Sequence, residues 1–119
     1  MIFSLPLIFG IWVGPLEFKV SPLSLFSRDF VKVANDSDKP GMFKLEALKI
    51  KNGEITKEQL PDVVFSHREL WLPPNGMRKV FFSFAPNKVP YNKLAVCATH
   101  LEPSAPVQFR VCSIVSILP

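Results

Sequence analysis

The residues of this chain that could carry out chemistry are few and scattered. His67 and His100 are the only histidines, and Cys97 and Cys112 the only cysteines. Cys97-x-x-His100 has the spacing of half a metal site. On a strand, however, residues three apart point to opposite faces, and no second pair completes four ligands. The spacing therefore predicts no metal. No Gly-x-Ser-x-Gly, phosphate-binding Gly-rich loop or His-Glu-x-x-His motif is present. Glu54, Glu58 and Asp62 fall in a turn-rich stretch and read as solvated loop charges. Phe65 and Trp71 read as core rather than as a platform for a ligand. The expectation is a protein without catalysis and without a cofactor.

Charge narrows the partners. The net charge is +4, and the bases are scattered with no run longer than Arg78-Lys79. A nucleic-acid groove needs a basic stripe with interleaved aromatics, and none is visible along the chain, so nucleic acid is not expected as a partner. Mild attraction to acidic protein surfaces remains. At 119 residues the chain reads as one domain, and with 48% hydrophobic residues, among them 11 Phe, it can bury a real core.

The first 14 residues, Met1 to Gly14, hold no charged side chain. That stretch is shorter than the about 20 apolar residues of a spanning helix, and it suits the apolar region of a partial secretory signal peptide. An extra buried N-terminal strand is the alternative. The globular domain is then expected over 15–119.

Turn signals cut the rest into short apolar-periodic pieces. Leu16 to Phe26 alternates and is interrupted by Pro22, as an edge strand is. Phe30 to Asn35 follows. Met42 to Lys51 is rich in helix formers, yet Asn52-Gly53 closes it as a hairpin turn does. Val63 to Leu72, Arg78 to Phe84, Lys93 to Leu101 and Val107 to Leu118 complete about seven strands. This pattern predicts an all-β fold, an immunoglobulin-like β-sandwich, with one short helix at Met42 as the competing reading for that segment.

A hairpin centred between Ser104 and Ala105 sets Cys97 directly opposite Cys112. That pairing allows a disulfide in an oxidising compartment. Pairing across adjacent strands departs from the preferred geometry, and two buried free thiols are the simpler reading. The last segment alternates through Val107, Phe109 and Val111 before a more continuous apolar run from Ile114. Such a strand lends its side chains and its backbone edge to another protein, or simply faces its own core. Left open, it also pairs with a second copy of itself.

Four blocks, taken in order, resemble the N-terminal domain of the periplasmic chaperones of chaperone–usher pilus assembly. They are Leu16–Pro22, Val31–Ser37, Val64–Val80 with its Leu72-Pro73-Pro74-Asn75-Gly76 turn, and the closing VCSIVSILP. The last is closer to the branch that assembles colonisation-factor pili. Major-sperm-protein domains share the same pattern, which leaves a non-catalytic scaffold domain as the alternative.

The resemblance implies a periplasmic protein that binds pilin subunits by donor-strand complementation, with an outer-membrane usher as a further partner. By position, Val107, Phe109 and Val111 would fill the pilin groove. The family anchors the pilin carboxylate with an Arg on the first strand and a Lys or Arg on the last. Here Ser24 stands at the first place and Ile114 and Ser116 near the second. Either the nearby bases Lys19, Arg28 and Arg110 serve, or pilin termini are not held that way. The family also carries a second β domain of similar size that is not part of this sequence.

Overall fold

Alternation of apolar side chains overrides helix propensity along the described strands. The computed structural model describes residues 12–14, 17–21, 26–101 and 110–117. Ten strands occupy them: β1 Trp12–Gly14, β2 Glu17–Val20, β3 Ser27–Ala34, β4 Gly41–Lys51, β5 Glu54–Gln59, β6 Val64–Phe65, β7 Glu69–Leu72, β8 Met77–Phe84, β9 Lys93–Leu101 and β10 Arg110–Ile117. The all-β expectation holds, and two sheets form an immunoglobulin-like sandwich. One sheet runs β1-β3-β8-β6. The other runs β2-β10-β9-β4-β5, with β7 also on β4.

The strand count differs from the expected seven for three physical reasons. Val63 to Leu72, read as one strand, is two. Val64–Phe65 pairs with β8, whereas Glu69–Leu72 pairs with β4 in the opposite sheet. The segment changes sheet at Ser66–Arg68, where the amide of Ser66 still donates to the carbonyl of Phe81 at 2.9 Å and the carbonyl of Arg68 accepts from the amide of Leu45 at 2.8 Å. Second, the charged stretch read as loop is a strand. Asn52 and Gly53 adopt positive φ of 53° and 80°, which folds β5 back onto β4 with Lys51 opposite Glu54. Third, Trp12–Gly14 form a strand on β3 with Val13 opposite Val33. These three residues of the apolar N-terminal stretch belong to the fold.

The Met42 segment is a strand and not a helix. Phe43, Leu45 and Ala47 are buried on one face while Met42, Lys44 and Glu46 lie outward. β4 is paired on both sides, with β9 along one edge and β7 then β5 along the other. Pairing and burial of that order outweigh the few tenths of a kcal/mol per residue at stake in helix propensity.

The core lies between the sheets. Val31, Val33, Val80 and Phe82 come from the four-stranded sheet and Phe43, Leu45, Leu94, Val96 and Val115 from the other. Phe18 on β2 reaches across to Phe82, ring centres 5.3 Å apart and nearly perpendicular, an arrangement that adds to area burial.

Asn35, fully buried, closes one end of the sandwich. Its side-chain amide donates to the carbonyls of Lys39 at 2.8 Å, Leu72 at 3.2 Å and Pro73 at 3.3 Å. Its side-chain oxygen accepts from the amide of Ser37 at 3.1 Å and from the Ser37 hydroxyl at 2.7 Å. Its own backbone amide donates to the carbonyl of Gly76 at 2.9 Å. Asn35→Ala should leave buried carbonyls without a donor and cost about 2–3 kcal/mol. Asn35→Asp, which keeps the acceptor and loses the donor, should cost no less. Urea denaturation checks both: the midpoint should fall with the slope unchanged, and an unchanged midpoint contradicts the assigned role.

Candidate functional site

The site is an edge rather than a pocket. β9 and β10 form an antiparallel pair in which Cys112 faces Cys97 and Arg110 faces Thr99. On its other side β10 pairs in parallel with β2, from Ile114 opposite Glu17 to Ile117 opposite Val20. Over Arg110–Cys112, ahead of that ladder, the second edge of β10 has no strand paired with it among the described residues. β1 passes close to β10 but its ladder is with β3. An unpaired row of backbone amides and carbonyls is a template for another strand.

Alternation on β10 gives the two faces different work. Val111, Ser113, Val115 and Ile117 point between the sheets, and Arg110, Cys112, Ile114 and Ser116 point outward. Val111 is half-buried and packs against the main core. Val107 and Phe109, the other two residues expected to fill a partner's groove, lie outside the described residues. Cys97 and Cys112 are joined in a disulfide, so the simpler reading of two free thiols gives way. The register presents both side chains outward on directly opposed positions of the same pair of strands. The disulfide sits in a small apolar cluster on the outward face of the sheet, with Leu48 and Ala95 buried and Ile50, Ile55 and Ile114 around them.

The three bases considered as carboxylate anchors are not brought together. Lys19 on β2 faces Ser116 and lies outward, as does Arg110. Arg28 is on β3 in the other sheet, its guanidinium 4.5 Å from the ring centre of Phe81. A single carboxylate cannot reach all three.

The histidines are also separated. His67 is exposed, its Nδ1 3.0 Å from the Ser66 hydroxyl. His100 stacks on Phe43 with ring centres 4.7 Å apart and 18° between planes, and it fills the space over Gly41 that a side chain would need. Cys97 points outward and His100 inward, so Cys97-x-x-His100 does not converge. No group of three His, Cys, Asp or Glu among the described residues could hold a metal. Phe65 is buried as expected, whereas Trp71 is 62% exposed. Leu70 and Leu72 take the inward positions of β7, which leaves Trp71 outward. Tyr91 keeps its hydroxyl buried without a hydrogen-bond partner. Its pKa is raised first by burial and then by the carboxylate of Asp62.

This sandwich has solved counterparts, including fimbrial chaperones and MSP family members. Among them is the E. coli chaperone DraB, with a TM-score of 0.69 and 18% identity over 93% of this chain and 55% of that one. A chaperone–tip adhesin complex of CFA/I fimbriae biogenesis gives 0.69 and 16% identity over 92% of this chain and 56% of that one. WR4, an MSP family member of C. elegans, gives 0.64 and 12% identity over 92% of this chain and 98% of that one. At such identities the likeness is one of fold. The chain spans about half the length of the chaperones it matches. No protein-family model matches the sequence, and no curated protein is similar to it in sequence.

The disulfide closes a loop of 15 residues and fixes the register of the β9–β10 pair. Reduction, or replacement of both cysteines by Ser, should cost about 3 kcal/mol by loop entropy. Thermal denaturation with and without reductant checks this, and the Ser variant should no longer respond to reductant.

Proposed function

We propose that this chain is a chaperone domain that binds pilin subunits by lending them the free edge of β10. The observation that carries the reading is the edge over Arg110–Cys112, ahead of the start of β2, which has no paired strand among the described residues, in a fold shared with fimbrial chaperones. A pilin subunit short of one strand would add along that edge. Backbone pairing would supply affinity, and Val107, Phe109 and Val111 would fill its pockets. The scattered positions of Lys19, Arg28 and Arg110 argue for recognition by backbone and apolar side chains rather than by a jointly held carboxylate. A buried carboxylate with no cationic partner is costly.

The protein acts in the periplasm on this reading, with an usher as a further partner. Because Trp12–Gly14 pair with β3, a leader would end before Trp12. Co-expression with a pilin lacking its last strand should yield a soluble complex, in which the mass of this chain places its first residue upstream of Trp12. A pilin that is no more soluble than when expressed alone contradicts the proposal.

A second reading, a scaffold domain without chaperone activity, draws on two observations. Val111 packs against the domain's own core, and WR4 matches over nearly its whole length. Phe109→Lys separates the two. An edge offered to partners should also pair two copies of this chain, giving a dimer that grows with concentration. The substitution should weaken both that dimer and pilin binding while leaving the fold intact. In a scaffold whose Phe109 is core, the same change should lower stability by several kcal/mol, on the order of a large core truncation. Equilibrium ultracentrifugation and thermal denaturation give the answer.

A further inference from the structure

The outward face of the four-stranded sheet carries an arrangement that neither the β10 edge nor the core uses. Outward positions on β3 hold Arg28, Phe30 and Lys32, and those on β8 hold Lys79 and Phe81. The register sets Phe30 opposite Phe81 and Lys32 opposite Lys79. Across the two strands the side chains form a continuous stack. The Lys79 ammonium lies 4.6 Å from the ring centre of Phe30. Phe30 meets Phe81 edge-on at 5.6 Å, and Arg28 caps Phe81 at 4.5 Å.

Charge on this face has one sign. The described strands of this sheet place no Asp or Glu at an outward position. The single acid among them, Asp29, has an inward register position near the start of β3, and its carboxylate accepts from the amide of Phe30 at 2.8 Å. The ion pairs of the described residues, Lys44–Glu46, Lys49–Glu58 and Lys51–Glu58, all belong to the other sheet. Arg28, Lys32 and Lys79 therefore have no carboxylate partner among the described residues. An aromatic ring holds a cation in place without neutralising it. Two of the three charges are thus positioned in advance and remain unsatisfied.

We propose that this face docks an acidic polypeptide segment in extended conformation. Arg28 and Lys32 are four residues apart on one strand, about 13 Å at the strand rise. Carboxylates four residues apart on an extended segment running along β3 have the same spacing. The guanidinium fork of Arg28 accommodates a carboxylate with two parallel hydrogen bonds. Beside it a shallow groove of about 170 Å³, lined by Arg28, Val64, Phe81 and Ser83 among others, takes a neighbouring side chain. Val64 and Met77, 60% and 59% exposed, give apolar contact at outward positions of the same face. Nucleic acid fits less well, because the cations already cover the rings that bases would stack on. A bilayer fits less well, because Phe30 and Phe81 lie half-buried within the stack and do not protrude to insert.

The test uses the whole chain and a fluorescent extended peptide of alternating Glu and Val, with its Lys-for-Glu counterpart as control. The acidic peptide should bind, weaken with added salt, and leave the Lys peptide unbound. The triple variant Arg28→Gln, Lys32→Gln, Lys79→Gln should lose about tenfold or more in affinity. Lys44→Gln with Lys49→Gln, on the other sheet, should lose none. Circular dichroism of the triple variant checks that the sandwich persists. If it does not, each single substitution is measured alone, and each should weaken binding. No binding of the acidic peptide, equal binding by the triple variant, or tighter binding to phosphatidylserine vesicles or a single-stranded oligonucleotide overturns the proposal. Pilin binding at the β10 edge is unaffected by these substitutions, so the two readings stand or fall separately.

Discussion

One buried carboxamide, that of Asn35, sets the geometry on which both sheets depend. A side-chain amide offers two donors and an acceptor, and here all are used, on Ser37 and Lys39 between β3 and β4 and on Leu72 and Pro73 at the end of β7. The Asn35 backbone amide reaches the carbonyl of Gly76 ahead of β8. β3 ends at Ala34 and β4 begins at Gly41, while β7 ends at Leu72 and β8 begins at Met77. β3 and β8 belong to one sheet, β4 and β7 to the other. Apolar burial presses the sheets together but has no direction, so it cannot by itself fix how one slides over the other. Directional hydrogen bonds to the carbonyls of Lys39, Leu72 and Pro73 do fix it. Gly76 completes the clamp. Its amide donates to the carbonyl of Pro73 at 2.9 Å, and a Cβ there would sit 2.7 Å from the Pro73 ring.

With the sheets fixed at that end, the chain's first strands decide what remains open at the far edge. β1 lies on β3 and β2 on β10, in different sheets. A single continuous first strand could close only one of the two edges. Divided, it closes part of each, and among the described residues the part of β10 left over is Arg110–Cys112. The disulfide holds this half in register from the β9 side. It does so from the outward face, so the inward face keeps its row of side chains for packing. Stiffening a strand before a partner arrives lowers the ordering cost of adding another strand to it.

Much of this was legible in the sequence where a local rule governs. Asn52-Gly53 marks a two-residue turn, and the strands meet there. The hairpin register read from the sequence sets Cys97 opposite Cys112 as the ladder has it. The fold and its likeness to fimbrial chaperones followed from four ordered blocks. What escaped was decided by the partner strand. Nothing within Val63 to Leu72 states that its halves pair with different sheets, because the change of sheet is imposed by β8 and β4. Trp71 looks like core by type, and only the inward places of Leu70 and Leu72 send it outward. The bond between the cysteines rests on their shared face, which spacing allowed but did not compel.

The basic and aromatic stack escaped for the same reason, and it changes how the scattered charges should be understood. Along the chain Arg28 and Lys32 stand singly and Lys79 is one of a pair with Arg78, with no longer run of bases. Pairing of β3 with β8 turns two weak alternations into one continuous surface, because a sheet joins neighbours across strands that sequence separates. The net charge of +4 is therefore unevenly spent. On the six-stranded sheet Lys44, Lys49 and Lys51 are matched by Glu46 and Glu58, while the outward face of the other sheet keeps its cations unmatched by any described carboxylate. A strand edge and a charged face recognise different things, since one reads backbone and the other reads side-chain charge. On the two proposed readings, their separation on opposite sheets would let the protein hold two partners, or two parts of one, without either excluding the other.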